Sequence, residues 1–113
     1  MPLMIRSDRP RTPSDLLRAI DGMFELSAAK ILSLDRSWPS SSGAPVFTVA
    51  GKYTARGWTE WTEGFVYGAA LLQFDATGDR AFLDLGRQRT LGRMAPHLTH
   101  VGVHDHGFNN VST

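Results

Sequence analysis

Apolar and small residues recur at Leu16, Ile20, Met23, Ser27, Ile31 and Leu34, in steps of three and four. That spacing predicts an amphipathic helix ending near Asp35. Leu17, Phe24 and Ala28 widen the stripe, as in a helix packed on more than one neighbour. Thr12, Pro13 and Asp15 mark its start: a capping hydroxyl, a proline suited to the first helical position and a carboxylate in the first turn. Residues 36–57, rich in proline, serine and glycine, read as a long loop in which Val46–Val49 can form a short extended stretch. Loops of this length inside a compact domain are often functional.

A second helix is expected from about Glu60 to Ala76, capped by Thr59. Trp61, Phe65, Gly68, Leu71 (or Leu72) and Asp75 fall at helical spacing. Gly64, Gly68 and Ala69 are small enough to admit a close neighbour, and each glycine costs roughly 1 kcal/mol against alanine in a helix interior. Thr77-Gly78-Asp79 reads as a stop, a left-handed cap and a new N-cap. A third helix follows from about Arg80 to Ala95, with Phe82, Leu83, Gly86, Thr90, Leu91 and Met94 inward and Pro96 ending it. So short a turn implies an αα-hairpin. From Val101 to Phe108 the pattern alternates. An extended chain there would put Asp105 beside Val101 and Val103, with His104 and His106 on the other side.

These faces are broad for three helices, so the sequence reads as part of a larger helical fold. Residues 1–11 carry arginines and prolines without periodicity and are expected to form a flexible tail. Composition narrows the field further. Apolar residues make up 42% of the 113, and the net charge is +1. That balance gives no general pull toward nucleic acid or an anionic membrane. Without cysteine there is neither a disulfide framework nor a thiolate metal site. No apolar run approaches the roughly 20 residues of a membrane span, and no apolar segment follows the first arginines. A soluble, cytoplasmic protein is expected, or a periplasmic one if a signal precedes Met1.

The chemistry-bearing residues gather late. His97, His100, His104 and His106 lie within ten residues, with Asp105 among them. Imidazoles and a carboxylate can hold zinc, although this spacing matches no standard ligand motif. Asp105 among apolar groups could work as an acid or base, because an apolar setting raises a carboxyl pKa. The segment could also be a polar loop whose side chains satisfy backbone groups. Tyr53, Trp58, Trp61, Phe65 and Tyr67 are either a core cluster or a platform for stacking on sugar rings. Glu60 and Glu63 read as partners of a helix dipole, and Arg87, Arg89 and Arg93 as a solvated face.

Trp61-Thr62-Glu63-Gly64-Phe65, the small-residue helix after it, Thr77-Gly78-Asp79 and His104-Asp105-His106-Gly107-Phe108 occur in this order. In order and approximate spacing the chain resembles the unsaturated glucuronyl hydrolases, glycoside hydrolase family 88, which are related to family 105. The resemblance covers about residues 12–113. His106 stands where an aliphatic residue is usual, and Asn109-Asn110 follow Phe108.

The resemblance implies an all-α fold. Residues 12–113 would supply αα-hairpins forming roughly the first quarter of an (α/α)6 toroid, incomplete in this chain. It implies hydration of the vinyl ether of a 4,5-unsaturated uronic acid at the end of a lyase-made oligosaccharide. The resulting hemiketal rearranges and releases the sugar, with no metal or organic cofactor. Asp105 matches the aspartate that faces substrate hydroxyls and assists the principal acid/base, which would lie beyond Thr113. Trp61 matches a tryptophan of the sugar cleft. Trp58 and His104 are assigned supporting substrate contacts. On this reading residues 1–113 alone are inactive. The alternatives are a toroid-fold carbohydrate-binding protein of other specificity and a small helical interaction module with a metal or pH-sensitive histidine site.

Overall fold

The structure, a computed structural model, describes residues 11–113. The expected tail, residues 1–11, lies outside the described residues except for Arg11. Helix α1 spans Pro13–Ser37. Thr12 and Asp15 close a reciprocal capping box: the Asp15 N–H donates to Thr12 Oγ1 at 3.3 Å, and the Thr12 N–H donates to Asp15 Oδ2 at 2.9 Å. The Thr12 backbone and hydroxyl donors hold the Asp15 carboxyl below its usual range.

The segment expected to be one long loop instead contains a β-hairpin. After a short 3-10 turn at Ser40–Ser42, β1 (Pro45–Val49) pairs antiparallel with β2 (Lys52–Ala55). The extended stretch at Val46–Val49 is therefore present and has a partner. Ala50 and Gly51 both take positive φ, 50° and 75°, as a tight two-residue hairpin turn requires. The Trp38 indole N–H donates to the Gly43 carbonyl at 2.7 Å, tying the hairpin's approach to the end of α1.

Helix α2 (Thr62–Thr77) and helix α3 (Arg80–Arg93) form the expected αα-hairpin. Gly78 is left-handed (φ 72°) and its N–H donates to Phe74 O, while the Asp79 carboxylate accepts from the Ala81 N–H at 3.0 Å. Gly86 lets the helices approach: a Cβ there would meet the Leu71 side chain. The third helix stops two residues earlier than expected. Pro96 then opens the short helix α4 (Ala95–Thr99), where its missing N–H costs nothing. Helix α5 (His106–Val111) follows, so the described chain is mostly helical, with five α-helices and one two-stranded sheet. That small sheet qualifies the all-α expectation.

Two packing expectations change. Leu91, expected inward, is 76% exposed, because the covered stripe of α3 runs through Phe82, Gly86 and Met94 on the side facing α2 and α4. Helix α1 buries none of its residues. It meets α2 alone among the helices at more than marginal contact, so its wide stripe stays open at Leu17, Ile20 and Met23. Gln73 Nε2 donating to Phe24 O at 3.0 Å and Arg89 Nε pairing with Asp35 at 2.8 Å hold it in place. Between α1, α2 and α3 lies a cleft of about 350 Å³. Among the described residues no helix is long and apolar enough to cross a membrane.

Candidate functional site

The site grows from the way α5 docks on the start of α2. Gly64 and Gly68 lie one turn apart on one face of α2, and α5 settles there at backbone distance. A Cβ on Gly64 would strike the Asn109 backbone, and one on Gly68 would land on the Ser112 carbonyl. The small residues thus admit a close neighbour, as their spacing predicts.

The expected Thr59 cap is absent. Trp61 takes the N-cap position of α2 and makes no side-chain cap bond. The fully buried Asn109 supplies the cap from α5. Its Oδ1 accepts the Gly64 N–H at 2.8 Å, and its Nδ2 donates to the Glu60 carbonyl at 3.0 Å. A free donor and a free acceptor therefore fix which way the amide points.

This docking buries His97 against Glu63 and His106 against His97. His97 Nε2 lies 3.1 Å from Glu63 Oε2, and His97 Nδ1 lies 2.9 Å from His106 Nδ1. His106 Nε2 lies 2.7 Å from Nδ1 of the exposed His100. Tyr67 Oη donates to Glu63 Oε1 at 3.1 Å, and Arg93 Nε approaches the same oxygen at 3.5 Å. Glu63 is therefore a buried anchor in addition to a first-turn carboxylate. Arg89 and Arg93 are paired across helices, while Arg87 is exposed. Burial, then the neighbouring His97 and His100, push the His106 imidazole below its usual range, against a smaller opposing pull from Asp105. Burial foremost, and then the Glu63 charge, push the Tyr67 phenol up from 10.0 to about 12.

Among the described residues no group of three or more histidines and carboxylates is arranged to hold a metal ion. His106 spends its two ring nitrogens on two different histidines. Those nitrogens point away from each other, so the lone pairs cannot meet at one centre.

Asp105 does not lie in an extended strand. The chain turns at His104-Asp105 and is helical from His106: the Gly107 N–H donates to His104 O and the Asn109 N–H to Asp105 O, which removes the period of two. Asp105 takes the N-cap position of α5, half-buried. Its Oδ1 is 3.3 Å from Nε2 of the largely exposed His104, from which the alternating pattern had separated it. So exposed a pair contributes little to stability. Val101, expected beside it, is 85% exposed.

Trp58 and Trp61 are 46% and 44% exposed, which fits a surface platform better than a core cluster. The Trp58 ring sits against His100, His97 and His106, at centroid distances of 4.9, 5.3 and 5.8 Å. Trp61 meets Phe65 at 5.5 Å and Phe108 at 6.4 Å. Both tryptophans therefore touch α5, Trp58 at His106 and Trp61 at Phe108. Tyr53 is elsewhere, packed edge-on against Trp38. Sequence reasoning missed Glu63, His97, His106 and Asn109 as a buried polar network. The signal available was Gly64 and Gly68 one turn apart, together with an asparagine pair after the histidines.

No known protein-family description, no curated protein and no solved structure matches this chain.

Proposed function

We propose that this sequence forms part of the sugar-binding wall of a hydrolase that removes 4,5-unsaturated uronic acid from lyase-generated oligosaccharides. The observation that carries the reading is one juxtaposition. Two half-exposed tryptophans, Trp58 and Trp61, pack against His106 and Phe108 of α5, the helix whose N-cap position is the half-buried carboxylate Asp105 with the exposed His104 before it. Aromatic faces beside a carboxylate suit a pyranose ring, whose C–H faces are apolar and whose edge carries hydroxyls.

In this reading α2 and α3 are one hairpin of an (α/α)6 toroid. Trp61 walls the unsaturated ring, with Trp58 and His104 supporting it. Asp105 holds substrate hydroxyls and assists the principal acid/base, an aspartate placed after Thr113. The reaction protonates the vinyl ether and adds water, and the hemiketal then opens and releases the sugar. It needs no metal and no organic cofactor.

The test is decay of the unsaturated-uronide absorbance, using a 4,5-unsaturated disaccharide and a chain that continues beyond Thr113. Turnover is expected, with Asp105→Asn lowering kcat by roughly 100-fold or more, the scale of a lost acid–base partner. Trp61→Ala should mainly raise KM. An uncleaved disaccharide would refute the reading. Binding of saturated oligosaccharides without turnover would instead indicate a carbohydrate-binding relative.

A further inference from the structure

The histidine network has a direction, and the direction reaches the surface. The Glu63 carboxylate can only accept, so the His97 proton facing it sits on Nε2 at 3.1 Å. The neutral His97 then offers an Nδ1 lone pair. His106 Nδ1–H fills it at 2.9 Å, with the Asn109 amide donating to the same nitrogen at 3.3 Å. His106 is left with a lone pair on Nε2, which His100 Nδ1–H fills at 2.7 Å. Every step is thereby satisfied, and His100 Nε2 keeps a lone pair at the exposed end, beside Trp58. The Asn109 amide sets this sense, because its orientation is fixed by Gly64 and Glu60. Reversing the chain would put a proton on His97 Nδ1, facing the Asn109 N–H.

We propose that Glu63, His97, His106 and His100 form a proton relay that presents a proton-accepting site at His100 Nε2 for a ligand hydroxyl or a bound water. The inference goes beyond the sugar reading and stands without it. When His100 Nε2 takes a proton from the ligand, its Nδ1 proton passes to His106 Nε2. The His106 Nδ1 proton passes to His97 Nδ1, and the His97 Nε2 proton passes to Glu63 Oε2. The three rings end neutral and in the reversed sense, with the His97 Nδ1 proton facing the Asn109 N–H, so this is a short-lived state that returns its proton; while it lasts the carboxylate is a carboxylic acid and the ligand carries the negative charge. Arg93 from α3 and Tyr67 from α2 face Glu63, and Asp105 flanks His106; these are the charged and titratable groups around the chain. His97 and His106 act as positioning residues, and only His100 meets the ligand.

The experiment is long-range ¹H–¹⁵N correlation NMR of the histidine rings, which reports the nitrogen that carries each proton. At neutral pH His97 should be protonated on Nε2, and His106 and His100 on Nδ1. His104, outside the chain and 90% exposed, serves as the averaged control. Glu63→Gln replaces an acceptor-only group with an amide that can also donate. It should change the Nδ1–H to Nε2–H ratio of His100 at least two-fold, although Glu63 is two rings away. An unchanged His100 in a folded variant overturns the relay. If Glu63→Gln does not fold, the unsubstituted protein decides. A His97 protonated on Nδ1, or a His100 as averaged as His104, overturns the proposal.

Discussion

Asn109→Ala should be among the most damaging single changes in this chain. The side chain is fully buried and serves two segments at once, accepting from the Gly64 N–H at 2.8 Å and donating to the Glu60 carbonyl at 3.0 Å. Losing an N-cap bond costs about 1 kcal/mol. A buried group left without a partner costs roughly 1–3 kcal/mol. Gly64 is buried but Glu60 only half-buried, so the lower part of that range applies to the carbonyl. The sum is about 2–3 kcal/mol, a large share of the roughly 5–15 kcal/mol that holds a typical domain.

Asn110→Ala is the matched control. Asn110 is exposed and gives a single bond to the His97 carbonyl at 3.2 Å, so its loss should cost about 1 kcal/mol or less. Urea unfolding followed by far-UV circular dichroism separates the two. With a slope of about 1–3 kcal/mol per molar for a small protein, the Asn109 variant should lose roughly 1–3 M in midpoint. Equal midpoints for the two variants, or a loss under about 0.5 kcal/mol for Asn109→Ala, would show that α5 does not cap α2.

Gly68→Ala and Gly92→Ala should have opposite signs in thermal melts. The first drives a Cβ onto the Ser112 carbonyl, an overpacking of about 1–3 kcal/mol that exceeds the helix-propensity gain, while the second meets nothing within 4 Å and gains up to about 1 kcal/mol. Melting temperature against pH should show a plateau. The unfolded chain takes up a proton at His106 before the folded one, so stability is full above about 6.5 and falls as pH drops below it. The unfolded chain also releases the Tyr67 proton first, so stability is full below 10.0 and declines between there and about 12. A melting temperature unchanged from pH 7 to 5 contradicts the acid limb. Asp105→Asn should leave the unfolding free energy from urea titration within about 0.5 kcal/mol of the original, because its pairing with His104 is exposed; a larger loss would make Asp105 structural.

The elements with local causes were readable in the sequence. Thr12, Pro13 and Asp15 start α1, and Thr77-Gly78-Asp79 stop one helix and start the next, because each acts within a single turn of chain. The β-hairpin was half-legible. Val46–Val49 has strand character, but the turn uses Ala50-Gly51 in place of the asparagine or aspartate that usually marks positive φ. The cap of α2 and the burial of His97 and His106 were not legible. Both depend on Asn109 meeting Gly64, a contact across 45 residues that no local pattern encodes. Trp58 and Trp61 show the same limit: their spacing suits core or surface alike, and only the docking of α5 leaves both half-exposed. Asp105 was legible as a residue of interest, but its setting was not, since helix formation from His106 overrode the alternating pattern.

The distant cap also bears on the order of events during synthesis. The α2–α3 hairpin is built from contacts near in sequence, which form early. Its first turn cannot be finished until Asn109 exists, 45 residues after Gly64. At 5–20 residues per second that interval is about 2–9 s. Through those seconds the Gly64 N–H and the face marked by Gly64 and Gly68 have only water to meet. The four histidines are made within the same late stretch, so the newborn hairpin acquires its cap and its chemistry almost together.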